Sequence, residues 1–250
     1  TLALDAATTV VVAQGAADLT VSTLTNNAGS VFSSTTMTGG LTIGTTAATG
    51  TVVLGDGDNT ITVGNFASTI HGGAGVDTIT GGTAADTING GDGDDVIVGG
   101  ATGVNTINAG AGDDTINGNG GNDTINGGSG NDTIIGGLGI DSLTGDGGSD
   151  IYKYTSIAEA ATSADSDKET IFGFDATDNS EVIQLFGLLT GTFAFRGNNA
   201  FTGTSNTEAK FDDTSKLLTL DIDGDADIDM EIKLDSVALS DLDSNDFTVS

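Results

Sequence analysis

The chain has 250 residues, a formal net charge of −30 and no cysteine. Lys and Arg together number 6 and none precedes Lys153, so a nucleic-acid partner, which needs clustered cations, is excluded; disulfides and thiolate–metal sites are excluded too. Such one-sided charge leaves a disordered, solvated chain or one neutralised by cations, and the regular alternation of Asp with Ile and Val argues for the second. No apolar run approaches the ~18 residues of a membrane span. No charged-then-apolar signal peptide opens the chain, and Thr1 stands where Met is usual, so the expectation is the C-terminal part of a longer protein.

Residues 1–53 are rich in Thr, Ala, Val, Gly, Ser and Asn, with only Asp5 and Asp18 charged. Short β-branched clusters recur near Val10, Val21, Val31, Leu41 and Val52. That spacing predicts an irregular parallel β-solenoid, against the alternative of a low-complexity linker.

Residues 54–153 repeat a nine-residue pattern, Gly-Gly-x-Gly-x-Asp followed by x-apolar-x, as in Gly72–Thr80 and Gly127–Ile135. The apolar position is filled by Ile61, Ile70, Ile79, Ile88, Ile97, Ile107, Ile116, Ile125, Ile134, Leu143 and Tyr152. Every step is nine residues except the ten from Ile97 to Ile107. Glycine supplies the tight turn, and the three residues after it form a short strand with the middle side chain inward. Two units make one coil, and stacked coils build a thin Ile-lined core that no single coil could bury.

The turns carry the chemistry. Calcium takes six to eight hard oxygen ligands; glycine-rich turns aim carbonyls inward and the sixth-position Asp adds a carboxylate. One turn offers about half a shell, so each ion is shared by two stacked turns. On one side the sixth positions are Asn59, Asp77, Asp95, Asp114, Asp132 and Asp150. Successive pairs from Asp77 onward give four two-carboxylate sites. On the other side they are Ser68, Asp86, Asn105, Asp123 and Asp141, with one full pair, Asp123 with Asp141. Sites at Asn59, Asp86 and Asn105 are expected to be weaker. About five full calcium sites result.

These nonapeptides resemble the repeats-in-toxin (RTX) family of secreted bacterial proteins. The resemblance implies that the earlier turn of each pair gives carbonyls from its second and fourth positions, and the later turn from its first and third. The first site would then use Gly73, Gly75 and Asp77 with Gly90, Asp92 and Asp95. The next would use Gly91, Gly93 and Asp95 with Ala109, Ala111 and Asp114, and the third Gly110, Gly112 and Asp114 with Gly127, Ser129 and Asp132. Gly128, Gly130 and Asp132 with Gly145, Gly147 and Asp150 make the fourth. On the opposite side Asn119, Gly121 and Asp123 would act with Gly136, Leu138 and Asp141.

Residues 154–250 hold eight of the ten phenylalanines, Phe172, Phe174, Phe186, Phe193, Phe195, Phe201, Phe211 and Phe247, which predicts a compact β domain with an aromatic core. Leu218, Leu220 and Ile222 alternate, as do Ile228, Met230, Ile232 and Leu234, around Asp223–Asp227, which predicts a β-hairpin. The stretches Glu169–Phe174, Ala200–Gly203, Asp221–Asp225 and Asp246–Val249 resemble the end domain of type I secreted proteins such as serralysin-like proteases. That resemblance implies an uncleaved C-terminal export signal, with the type I secretion machinery as a partner.

Other constellations are weaker. The run Asp221 to Asp229 suggests an EF-hand, but Ala226 stands where Gly is needed and Ile232 where Glu is needed, which favours a solvated hairpin turn. His71 is the single histidine and falls at an outward strand position, and no second histidine completes a zinc site. No nucleophile–base pair or phosphate loop presents itself, so no enzymatic activity is expected. Thr87/Asn89, Thr106/Asn108 and Thr124/Asn126 form an outward polar ladder: ordinary β-propensity, a lattice contact, or an ice-binding face.

The sequence thus predicts an all-β fold, a right-handed parallel β-solenoid over 1–53 passing into a calcium β-roll over 54–153 and closed by a β domain over 154–250. The Thr/Ala/Val-rich, cysteine-free first segment resembles type I secreted surface-layer proteins. That implies an extracellular, cell-surface structural protein whose copies associate laterally through calcium. The export and folding end of a large adhesin, or of a secreted protease or lipase, are the alternatives.

Overall fold

The structure is a computed structural model that describes residues 2–3, 10–15, 18–21, 24–25, 30–43, 50–156, 159, 169–176, 181–188, 194–195, 207–222, 228–235, 237–238, 240–243 and 245–249. Successive strands alternate between two long sheets, one of ten strands and one of thirteen. Within the repeats each coil contributes a six-residue strand such as Thr87–Asp92 to the larger sheet and a three-residue strand such as Val96–Val98 to the smaller. All pairings of the smaller sheet are parallel, and registers advance by one coil, Thr60 to Thr78 to Val96 to Thr115 to Thr133. The fold is a parallel β-solenoid, as the period requires.

Alternation places every second side chain inside. The strand Thr87–Asp92 reads exposed, buried, half-buried from Thr87 to Asn89. Ile61, Ile70, Ile79, Ile88, Ile97 and their counterparts to Tyr152 are at most 1 % exposed and belong to one core. Each buried isoleucine contributes about 1.5–3 kcal/mol relative to exposure. Their outward neighbours align as well: Thr51, Thr69, Thr87, Thr106, Thr124, Ser142 and Thr170 occupy one register position of the larger sheet. His71 is exposed, in register with Asn89.

The sheets run on across residues 53 and 153. Ser30–Met37 pairs with Gly50–Val53, and that strand with Thr69–Ala74. At the other end Glu169–Phe172 adds to Ser142–Gly147, and Val182–Leu185 adds to Ile151–Tyr154. Phe247–Val249 is the outermost strand of the smaller sheet, paired with Val182–Leu185. The expected hairpin is present: Leu217–Asp221 runs antiparallel to Met230–Leu234, with Leu218 opposite Ile232 and Leu220 opposite Met230. Glu208–Asp212, which the sequence did not announce, makes it a three-stranded meander. Residues 223–227 and the stretch Ala200–Gly203 lie outside the described residues.

Of the expected aromatic core, three of the five phenylalanines with described side chains are buried. Phe174, Phe211 and Phe247 are buried, and the Tyr152 and Phe174 rings lie 5.9 Å apart. Phe172 and Phe186 are exposed, and the Lys153 ammonium stands 4.4 Å from the Phe186 ring centroid. Leu, Ile and Met fill the interior instead, with Leu218, Leu220, Met230, Ile232 and Leu234 fully buried. Phe193 and Phe201 lie outside the described residues, and nothing is described of the Phe195 side chain.

Candidate metal centre

The two turns of each coil stack into two columns. In the column leading into the smaller sheet, the sixth-position residues are tied one coil to the next. The Asn59 N–H donates to Asp77 Oδ1 (2.7 Å), Asp77 N–H to Asp95 Oδ1 (2.8 Å), Asp95 N–H to Asp114 Oδ1 (2.7 Å), Asp114 N–H to Asp132 Oδ1 (2.8 Å) and Asp132 N–H to Asp150 Oδ1 (2.9 Å). The other column repeats the pattern through Ser68, Asp86, Asn105, Asp123 and Asp141. One carboxylate oxygen of each Asp is thereby committed to the main chain.

The second oxygen is not. Oδ2 of Asp77, Asp95, Asp114, Asp123, Asp132, Asp141 and Asp150 is buried with no hydrogen-bond partner. An unpartnered buried carboxylate oxygen is costly, and a row of seven calls for a ligand. Asp86 differs: its Oδ1 accepts from Ser68 and its Oδ2 from the Gly82 N–H at 3.1 Å.

Main-chain oxygens surround the orphans. A Cβ at Gly72 would collide with both Asp77 Oδ2 and the Gly90 carbonyl, and one at Gly90 with Asp95 Oδ2 and the Ala109 carbonyl. Gly118 stands in the same way against Asp123 Oδ2 and the Gly136 carbonyl, and Gly127 and Gly145 against Asp132 and Asp150 Oδ2. Carbonyls of Gly73, Gly75, Gly91, Gly93, Gly110, Gly112, Gly121 and Gly130 and of Asn119 point along the column at the next stacked turn. The next turn holds Gly91 there at φ +126° and Gly93 at +124°, values that L side chains rarely adopt. Asn119 (φ 70°) and Asp146 (φ 68°) take the same hand, as short polar residues do. Third-position carbonyls of Asp92, Ala111, Ser129, Gly147 and Leu138 accept an N–H from the preceding coil, and a carbonyl has a second lone pair. The carbonyl of Gly128 faces Gly147.

The asparagines are satisfied by the protein itself. Asn59 Nδ2 donates to the Gly55 and Gly72 carbonyls at 3.2 and 3.4 Å, and Asn105 Nδ2 to the Gly103 carbonyl at 3.0 Å. An amide N–H₂ thus engages oxygens of the kind that surround each orphan oxygen elsewhere.

Burial pushes the carboxylates up from the ordinary 3.8: Asp77, Asp95, Asp114, Asp123 and Asp141 to about 6, and Asp132 to about 7. Neighbouring carboxylates add to burial; Asp114 and Asp150 both raise Asp132. Among the described residues no three His, Cys, Asp or Glu side chains converge on one point. The donor set is one of paired carboxylates with carbonyls, which suits a hard, oxygen-seeking, flexible cation such as Ca²⁺.

Sequence reasoning missed a third set of ties. Fifth-position side chains form an outer ladder, with Asp94 Oδ1 accepting from Asp113 N–H (2.9 Å), Asp113 Oδ1 from Asn131 N–H (2.7 Å) and Asn131 Oδ1 from Ser149 N–H (2.9 Å). The clue was Asp or Asn recurring at that position amid the more conspicuous sixth-position Asp.

Comparison with known proteins agrees with this site. The RTX calcium-binding nonapeptide repeat family matches in four copies, at residues 54–84, 71–102, 100–134 and 127–153. The match spans residues 54–153, the stretch that carries the nonapeptides. No curated protein matches the chain. Among solved structures, the solution structure of the AlgE6R2 subunit from the Azotobacter vinelandii mannuronan C5-epimerase is similar at 23% identity, covering 65% of this chain and 91% of that chain, with a TM-score of 0.25.

Proposed function

We propose that the chain is the calcium-dependent assembly portion of a surface-layer protein that reaches the cell exterior by type I secretion. The coarser part of this reading, a calcium-binding module of a secreted RTX protein, rests on the repeat match. The observation that carries it is the row of seven buried, unpartnered carboxylate oxygens among main-chain carbonyls. Sites of extracellular type bind calcium with dissociation constants of about 10⁻⁴–10⁻³ M. At cytosolic calcium the like-charged columns oppose folding, which keeps a chain exportable; outside, the ions close the roll. The Asp246–Val249 tail, read as the export signal, ends as an edge strand of the folded sheet.

The assembly step is supported by regularity. The aligned Thr/Ser column presents the same group at every coil, and repeated contacts that do not close on themselves give extended arrays. A particle of this acidity repels its copies unless cations reduce its charge. The neutral Thr and Asn face is therefore the contact surface. Electron microscopy of the protein in millimolar calcium should show ordered arrays, and none in chelator. Single particles under both conditions, for the longest available chain, would favour the export end of an adhesin or secreted enzyme instead.

A further inference from the structure

Both carboxylate columns continue for one coil beyond the last nonapeptide, with glutamate in place of aspartate. Within the repeats, stacking of two sixth-position residues is marked by a main-chain bond from the next residue of the later coil, as in Thr133 N–H to the Asp114 carbonyl at 2.8 Å. The Thr170 N–H makes that same bond to the Asp141 carbonyl at 2.9 Å, with Ser142 in register with Thr170. Glu169 therefore occupies the sixth position over Asp141. In the other column the Val182 N–H bonds the Asp150 carbonyl and sets Glu181 over Asp150. There Glu181 Oε2 already accepts from the Asp175 N–H at 2.7 Å, so the Glu169 position is the better developed.

Glu169 is 2 % exposed. Its Oε1 accepts from the Tyr154 hydroxyl at 2.7 Å, and its Oε2 is buried without a partner. Asp141 below is 1 % exposed, with Oδ1 held by the Asp123 N–H at 2.7 Å and Oδ2 unpartnered. Two buried acidic side chains thus each keep one free oxygen at adjoining stacked positions. The third acidic group in their field, Glu159, has both oxygens engaged by Thr155, through its N–H (2.8 Å) and its hydroxyl (2.6 Å). It adds negative charge and is not a further ligand. A proton and a cation compete for these two oxygens, as they do throughout the columns. A divalent cation meets both oxygens at once.

We propose that Asp141 Oδ2 and Glu169 Oε2 bind a further divalent cation of calcium type, which fastens the first coil after the repeats onto the roll. This rests on the calcium reading of the repeats, and it adds a site with one ligand from outside them. No glycine occurs between Thr155 and Lys168, and glutamate carries its carboxylate one methylene further than the aspartates of the repeats.

Tyrosine reports on the site directly, because the chain has no Trp and two Tyr, of which Tyr154 is bonded to Glu169. Terbium, an oxygen-seeking stand-in for calcium, should luminesce on tyrosine excitation in the full chain carrying Tyr152→Phe. Adding Glu169→Gln should abolish most of that emission, and native mass spectrometry in calcium should show the loss of one ion, with circular dichroism reporting a folded roll. In crystals of the unmodified chain grown with calcium, an anomalous peak is expected between Asp141 and Glu169. Its absence overturns the proposal whether or not the variants fold. An unchanged ion count and emission in Glu169→Gln, with calcium still bound by the repeats, overturns this site alone. Failure of the unmodified chain to bind calcium at all overturns the reading of the roll.

Discussion

The main-chain N–H of Asp114 donates to Oδ1 of Asp132 at 2.8 Å, while Oδ2 of the same Asp132 carboxylate is buried and meets no donor. Every sixth-position aspartate except Asp86 thus has two separable tasks. One oxygen ties its coil to the one before it with or without a cation, and the other is reserved for the cation.

Substitutions at Asp114 should separate these tasks. Asp114→Asn keeps an oxygen for the Asp95 N–H and should fold in chelator at least as well as the unmodified chain, while losing calcium affinity at both sites that share the residue. Asp114→Ala removes both functions and leaves a buried N–H unpaired, at a cost of about 1–3 kcal/mol. Asp86→Ala should change calcium binding little, because both Asp86 oxygens already accept N–H groups. Calcium titrations and urea melts, each with and without chelator, provide the comparison.

Acidity should partly replace calcium. The folded-state values near 6 and 7 lie above the ordinary 3.8, so between these limits the folded chain binds more protons than the unfolded one. Stability then falls as pH rises through that window. In chelator the roll should be most stable at or below about pH 4 and lose that stability by about pH 7. With calcium the trend reverses, since the ligand must be deprotonated. Thermal melts showing the chelated protein more stable at neutral pH than in acid would contradict this.

Asn59→Asp should create a calcium site. It replaces the amide that donates to the Gly55 and Gly72 carbonyls by a carboxylate facing Asp77. The expected result is one more bound ion and, in chelator, a loss of about 1–3 kcal/mol from the two carbonyls left unpaired. Ion counting by native mass spectrometry decides it.

Gly91→Ala should damage folding under any condition. Gly91 has φ +126°, and a Cβ there would strike the Gly73 carbonyl. Backbone strain of this kind costs about 1–3 kcal/mol before the clash is counted. Gly147→Ala is the control, because Gly147 has no close neighbour and no positive φ. Melting curves of the two in calcium should differ clearly.

The roll was legible because its period is rigid. Ile61 to Tyr152 recur at a fixed step, and a step of nine puts alternate units on opposite sheets, so core, register and turn columns all follow from one number. The paired aspartates were legible for the same reason. The Asn59 and Asn105 amide bonds were not, since a neutral side chain in an acidic series reads as a weaker ligand and not as a donor. Glu169 and Glu181 escaped notice because no glycine turn precedes them, although the register places them in the columns. Phe172 and Phe186 misled because aromatic content says nothing about which face of a strand a ring occupies.

The single ten-residue unit has a consequence for how such arrays vary. Ile88 remains opposite Ile107 and Ile97 opposite Ile116, so the extra residue is absorbed wholly in the turn between Gly99 and Asn105, where the Asn105 amide binds the Gly103 carbonyl. That turn lies in the column where Asp86 and Asn105 are satisfied by the protein alone. The extra residue thus falls in a turn whose sixth-position side chain is held by the protein, while the turns bearing the unpartnered carboxylates keep the nine-residue unit. The same turn is therefore the natural place to graft a foreign peptide or tag, displayed at mid-rod without disturbing the stacking on either side.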